Sequence, residues 1–275
     1  MGDGAYYLPL SELDNVRVCH SYVALRSAFG LERFPGATKI SWHEDLACEA
    51  HNKLMPTFLK HEVTVVAASR WHKQNIQDQL RIGLNLADPI PRVKAIYNPV
   101  PDELYDIPRD LRIGYDNNVM LWCASPHKGL EKAIKIFSRC REAVSDQLEL
   151  RVFNPGYLVN EVQRVPGVVV YGSVPCKTLW EQMGGAMCVF YPTNFQETFG
   201  CIASEANAMH CPVATYPVAA LRETVGNEFA ENQDEVDFIK MVERWYNGER
   251  PKVAANPKFK LSEVVWEWQK VLGLV

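Results

Sequence analysis

The sequence predicts an α/β chain of two lobes, each built around a parallel sheet. Three observations carry that prediction. Short apolar runs of strand length alternate with stretches of helical spacing through most of the 275 residues, the pattern of sheets covered on both faces. The alternation breaks once, at 98–118, where three prolines and many charges occur without periodicity. It then resumes through five or so βα units, enough for one doubly wound domain. The expected layout is a first lobe at 1–98, a linker at 99–118, a second lobe at 119–260 and a closing helix at 261–275.

In the first lobe the expected strands are 16–19, 38–42, 63–68 and 93–97, each apolar and bounded by polar, Pro or Gly residues. Helices at 45–60 and 70–80 lie between them. In the second lobe 119–124 reads as a strand and 125–129 as a turn. Leu130, Ala133, Ile134, Phe137 and Cys140 then recur at helical spacing. Strands follow at 148–153 and 168–171, a helix is marked by Leu179, Met183 and Ala186, and another strand spans 188–191. A helix at about 201–209 leads to a strand at 212–215. An acidic helix at 234–247 stops at Gly248, and a last helix runs from 262 to 272.

Composition narrows the function. With 47% hydrophobic and 23% charged residues the chain is an ordinary folded protein. A net charge of −4 gives no broad attraction for a polyanion. The eight cysteines are scattered without a CxxC pair, and Cys123 and Cys188 sit inside apolar runs. Used this way cysteine is a small buried hydrophobe, as in a reducing cytosol. No run approaches the roughly 18–20 apolar residues of a membrane span, and the N-terminus lacks a basic region followed by an apolar core. The expected location is cytoplasmic.

The stretch at 191–215 carries the chemistry. Glu197 and Glu205 are eight apart, with Thr198, Phe199 and Gly200 after the first carboxylate. Because a strand ends at Tyr191, Glu197 falls in a loop at the carboxyl edge of the sheet, where open α/β folds bind ligands. The helix starting near Gly200 presents backbone N–H groups to an anion. Glu205 lies in its second turn, on the order of 10 Å from Glu197 at about 1.5 Å of rise per residue. Two acceptors flanking N–H donors suit a ligand with hydroxyls at both ends and phosphates between, the layout of a nucleotide sugar. Two solvated surface glutamates would show the same spacing. Their place after a strand end, with a small-residue helix of Ala203, Ala206 and Ala208, favours the ligand reading.

This stretch resembles the E-x7-E signature of the retaining glycosyltransferases of family 4, also called group 1. Trp122 to Glu131 is similar to that family's strand, turn and "KGL" helix start, and 167–172 to its "V-x-F-x-G" strand. The "PVA" step within 208–215 and the Leu221 to Gly226 loop fall in the family's order. In the first lobe 41–45, 65–69 and 96–99 look like its "H-D", "V-S" and "I-x-N-G/P" positions. The resemblance covers roughly 38 to 272, and it is specific in the second lobe and loose in the first.

The resemblance implies a GT-B fold with a shortened first lobe, and a sugar transferred from a UDP- or GDP-sugar to an acceptor hydroxyl with retention. It implies that Glu205 accepts from the ribose, and that Glu197, with the backbone of Phe199 and Gly200, holds the sugar. Thr198 and Ser125 line the donor site. Lys128 neutralises the diphosphate; a solvated lysine at a helix start is the plainer alternative. Relatives often carry an Arg where Ser125 stands. Its place is taken either by Ser125 and the turn backbone, with His127 nearby, or by a basic residue of the first lobe such as Arg70 or Lys73. His43 would line the cleft as a third catalytic residue, unless it is simply satisfied inside its lobe. The sequence has no D-x-D triad after a strand, so neither a metal nor another cofactor is expected.

The acceptor is open between a glycan, a lipid-linked glycan and a modified nucleobase. Two further readings compete with a free-standing glycosyltransferase. One is a non-catalytic nucleotide-sugar-binding subunit that needs a partner or oligomer. The other is an enzyme acting on modified DNA bases, against which the −4 charge leans.

Overall fold

The computed structural model describes residues 16, 18–107, 116–153, 165–230 and 235–275. They group into two compact units. The first is Met1–Ile96 with Trp268–Val275, and the second is Tyr97–Glu267.

The first unit is a parallel sheet of four strands in the order β1-β2-β3-β4. Its elements are β1 (Ser21–Leu25), β2 (Thr38–His43), α1 (Glu49–Lys60), β3 (Thr64–Ala67), α2 (Arg70–Leu80) and β4 (Arg92–Ala95). Phe58 from α1, with Ile76 and Leu80 from α2, packs on Val65, Ala67 and Val93 of the sheet. Helix α2 starts where expected because Ser69 caps it, its hydroxyl accepting from the His72 N–H at 3.0 Å.

Two elements differ from the sequence reading. The first strand is Ser21–Leu25 rather than 16–19. Thr38–Trp42 pairs with 21–25 in register, whereas Val18 is 86% exposed with nothing to pack on. Helix α1 starts at Glu49, not at 45. Asp45 is used otherwise, its carboxylate pairing with Arg26 at 3.0 Å and its carbonyl accepting from the His72 ring.

The second unit holds β5 (Asp116–Trp122), α3 (Leu130–Ala143), β6 (Glu149–Phe153), β7 (Val168–Gly172), α4 (Cys176–Gly185), β8 (Ala186–Tyr191), α5 (Cys201–Ala208), β9 (Val213–Thr215), α6 (Leu221–Thr224), α7 (Glu235–Tyr246) and α8 (Leu261–Leu272). Its sheet is parallel, in the order β7-β6-β5-β8-β9. The central strands β5 and β8 bury Met120 to Trp122 and Ala186 to Tyr191 almost completely, as continuous apolar runs between two helix layers must. Ala186 opens β8 instead of ending α4. Gly184 and Gly185 stop the helix, and Ala186 pairs with Asp116.

From β5 the chain steps outward to β6 and β7, then returns to place β8 and β9 on the other side of β5. The switch point therefore lies between β5 and β8. In open α/β sheets a crevice forms outside the carboxyl ends of the strands at such a point.

Within the stretch read as a linker, Val100 and Leu104 are buried, and Val100 forms a bridge with Lys260. The Tyr105 hydroxyl donates to the Asn256 carbonyl at 2.9 Å. Residues 99–107 thus group with the second unit, while 108–115 lie outside the described residues. The closing helix α8 begins among the residues of the second unit and ends among those of the first.

Candidate functional site

Two loops leave the carboxyl ends of β5 and β8 at the switch point. The first contains a 3-10 turn, Pro126–Lys128, ended by Gly129 at φ +114°; that left-handed conformation favours glycine. The second, 192–200, is tied to it through Thr193. Its hydroxyl donates to the Lys128 carbonyl at 2.6 Å and accepts from the Phe195 N–H at 2.9 Å. Ser125 is buried beneath the turn, and its carbonyl accepts from the Lys128 N–H at 3.0 Å.

Lys128 and Glu197 meet across these loops. The ammonium donates to both carboxylate oxygens, at 2.8 and 3.0 Å, and lies 4.9 Å from the Phe195 ring centre. Glu197 is only 8% exposed. It also accepts from the Tyr191 hydroxyl at 2.5 Å. Burial first, then the Glu197 charge, holds the Tyr191 phenol well above its usual range, so it stays a donor. Lys128 keeps a third N–H for a further acceptor. His127 packs edge-on against Phe195 at 5.7 Å.

Beyond Glu197, Gly200 takes φ +90° to cap α5, and a Cβ there would stand 2.9 Å from Leu221 Cδ2. Thr198 is partly exposed. The Phe199 side chain is buried, packed between Tyr97 and Phe259 at 6.0 and 5.1 Å. Glu205 is half-buried in the second turn of α5. Burial raises its pKa, and the Trp180 indole N–H, 2.8 Å from Oε2, partly offsets that rise. The far end of α5 is locked by Asn207, whose side chain donates to the Cys211 carbonyl at 3.0 Å and accepts from the Gly226 N–H at 2.6 Å.

In the first unit His43, at the end of β2, is held by partners within its own unit. His43 is 4% exposed and uses both ring nitrogens internally. Ser41 donates its hydroxyl to the Ser27 carbonyl at 2.8 Å, so Nε2–H of His43 must donate to Ser41. Nδ1 is then the acceptor for Nε2–H of His51 at 3.1 Å, and Nδ1 of His51 accepts from the Cys48 N–H at 3.1 Å. Desolvation first, then neighbouring histidines, lowers His43 to about 4. Burial likewise lowers His72 to about 4 and depresses His51. Arg70 and Lys73 sit in the first turn of α2, Arg70 exposed and Lys73 partly so.

Sequence reasoning missed Tyr191, Thr193 and Trp180. Tyr191 carried a signal, a phenol ending an otherwise apolar strand immediately before the loop. Trp180 carried none, because nothing in a helix sequence says which neighbour its N–H meets. Among the described residues no group of three or more His, Cys, Asp or Glu side chains is placed to hold a metal ion. Among them, too, no helix is long and apolar enough to cross a membrane.

Two parallel α/β units, one with its crevice at a β5/β8 switch point, define a GT-B fold. Solved structures agree. TarM of S. aureus, in complex with Fondaparinux, alpha-GlcNAc-glycerol and UDP, superimposes with a TM-score of 0.65 at 12% identity, covering 86% of this chain and 51% of TarM. The pneumococcal O-GlcNAc transferase GtfA, in complex with UDP and GlcNAc, gives 0.67 at 12%, covering 96% of this chain and 59% of GtfA. Anabaena HepE, in complex with UDP and glucose, gives 0.62 at 15%, covering 87% and 72%. The chain thus spans little more than half the length of the first two. No curated protein sequence matches it. Residues 119–258 match the family model for glycosyl transferases group 1. The chain belongs to that family.

Proposed function

We propose that the chain is a retaining, metal-independent glycosyltransferase that moves a sugar from a UDP- or GDP-sugar to an acceptor hydroxyl. The observation that carries this reading is the convergence at one switch point of the Lys128–Glu197 pair, the N-terminus of α5 and the half-buried Glu205. Glu205 accepts from the ribose. The α5 N-terminus and the third N–H of Lys128 meet the diphosphate, where charge grows as the glycosidic bond breaks. Glu197, with the backbone of Phe199 and Gly200, holds the sugar hydroxyls.

The acceptor oxygen bonds to the anomeric carbon on the face the diphosphate leaves, and its proton passes to the departing phosphate oxygen. UDP in complexes of GtfA and HepE supports this class of donor. In this reading His43, held by Ser41 and His51 at the end of β2, belongs to an abbreviated acceptor lobe and lines its side of the cleft.

A panel of UDP- and GDP-sugars screened by thermal shift, followed by assays of donor hydrolysis and transfer, tests the proposal. Donor at about 100 times its dissociation constant adds roughly 2.7 kcal/mol of stability. Stabilisation without turnover by the purified chain would favour a binding subunit, and no stabilisation by any member would remove the donor site altogether.

A further inference from the structure

Glu205 is held in an uncommon way. Among the described residues the hydrogen-bond partner of its carboxylate is neither a cation nor the main chain; it is the indole N–H of Trp180, at 2.8 Å from Oε2. An indole only donates, so Oε2 is fixed as the acceptor. Oε1 has no hydrogen-bond partner among the described residues.

The restraint comes from outside α5. Ala203, Ala206 and Ala208 on that helix are too short to confine a glutamate, whose rotamer freedom is among the largest of any side chain. Trp180 stands on α4, which packs against β5, β8 and α5. That helix is seated by Met183, fully buried, and by Gly184, where an added Cβ would touch Met209 at 3.6 Å. The indole therefore has a fixed base from which to hold the carboxylate before any ligand arrives.

We propose that Trp180 is a positioning residue for nucleotide recognition, its N–H orienting Glu205 so that the other carboxylate oxygen discriminates a ribose from a sugar lacking its hydroxyls. The inference rests on the reading of Glu205 as the ribose acceptor. A structural Trp would support affinity for any nucleotide equally. A positioning Trp acts on the hydroxyl-dependent part alone.

Calorimetry with UDP and GDP, each beside its 2′,3′-dideoxy analogue, separates the two. Wild type should prefer the better-bound ribonucleotide over its dideoxy form by at least about tenfold, the size of one hydrogen bond to a charged group. Trp180→Phe keeps the ring and removes the donor. It should lose about tenfold for the ribonucleotide, with the dideoxy form within twofold of wild type, and Trp180→His should recover part of the loss. Equal losses for both forms, or undiminished discrimination, overturn the proposal. If Trp180→Phe loses its native circular dichroism, Trp180→Gln against Trp180→Leu repeats the comparison with and without a donor. Glu205→Ala isolates the underlying reading, since unchanged ribonucleotide affinity in that variant means Glu205 does not hold the ribose at all.

Discussion

Replacing Lys128 by Met and Glu197 by Gln, singly and together, tests whether the pair at the switch point is formed in solution. At 2.8 Å and an effective dielectric near 20, the gross attraction is about 6 kcal/mol. Desolvation takes back most of it, because the Lys128 side chain is 24% exposed and that of Glu197 only 10%. A coupling energy of about 2 kcal/mol is expected, above the ~0.2–1 kcal/mol of exposed pairs and below the ~3–5 kcal/mol lost on stranding one partner of a fully buried pair. Lys128→Met should be the costlier single change, since it leaves a buried carboxylate with only the Tyr191 hydroxyl. Glu197→Gln leaves that hydroxyl an amide acceptor and the ammonium a path to water. Native-state hydrogen exchange of the β5 and β8 amides reads the stability of this unit separately from the other. Single effects that add within about 0.5 kcal/mol in the double variant would show that the two charges do not interact.

Three further outcomes are expected. Transfer should persist in excess EDTA, and a complete loss reversed by Mg²⁺ would mean that another charge meets the leaving group. The first unit should lose stability as pH falls. Histidines with pKa values near 4 in the folded state and about 6.5 unfolded bind fewer protons when folded, so their contribution is complete above pH 6.5 and declines toward 4. The loss is on the order of 2 kcal/mol for each of His43 and His72 by pH 5, and a melting temperature that is flat from pH 7 to 5 would contradict the buried neutral rings. Gly200→Ala should cost about 1–3 kcal/mol, from a left-handed φ and a Cβ pressed against Leu221, and should weaken nucleotide binding. Unaltered stability by denaturant titration would mean that the α5 cap relaxes freely.

What the sequence disclosed was whatever depends on local pattern. The limits of α2 followed from its place between two apolar strand runs, and the E-x7-E segment from a strand end meeting a small-residue helix. The 16–19 assignment failed because alternating valines look alike whether or not a partner strand lies opposite; only the register with 38–42 selects 21–25. The partners of His43 could not be read from sequence, since a histidine at a strand end looks the same with or without the bonds to Ser41 and His51. The partners of Trp180 and Tyr191 were hidden for a related reason. Each acts through a side chain brought near only by the packing of separate elements, 25 and six residues away in the chain.

The bond from Thr193 to the Lys128 carbonyl bears on how the crevice tolerates substitution. Because it grips the main chain, this tie between the two loops does not itself require a particular side chain at 128. Substitutions there change the charge at the crevice while this main-chain tie between the two loops is kept. Thr193 itself has no such latitude. A change to Val would keep the shape and remove both the bond to the turn and the acceptor for the Phe195 N–H.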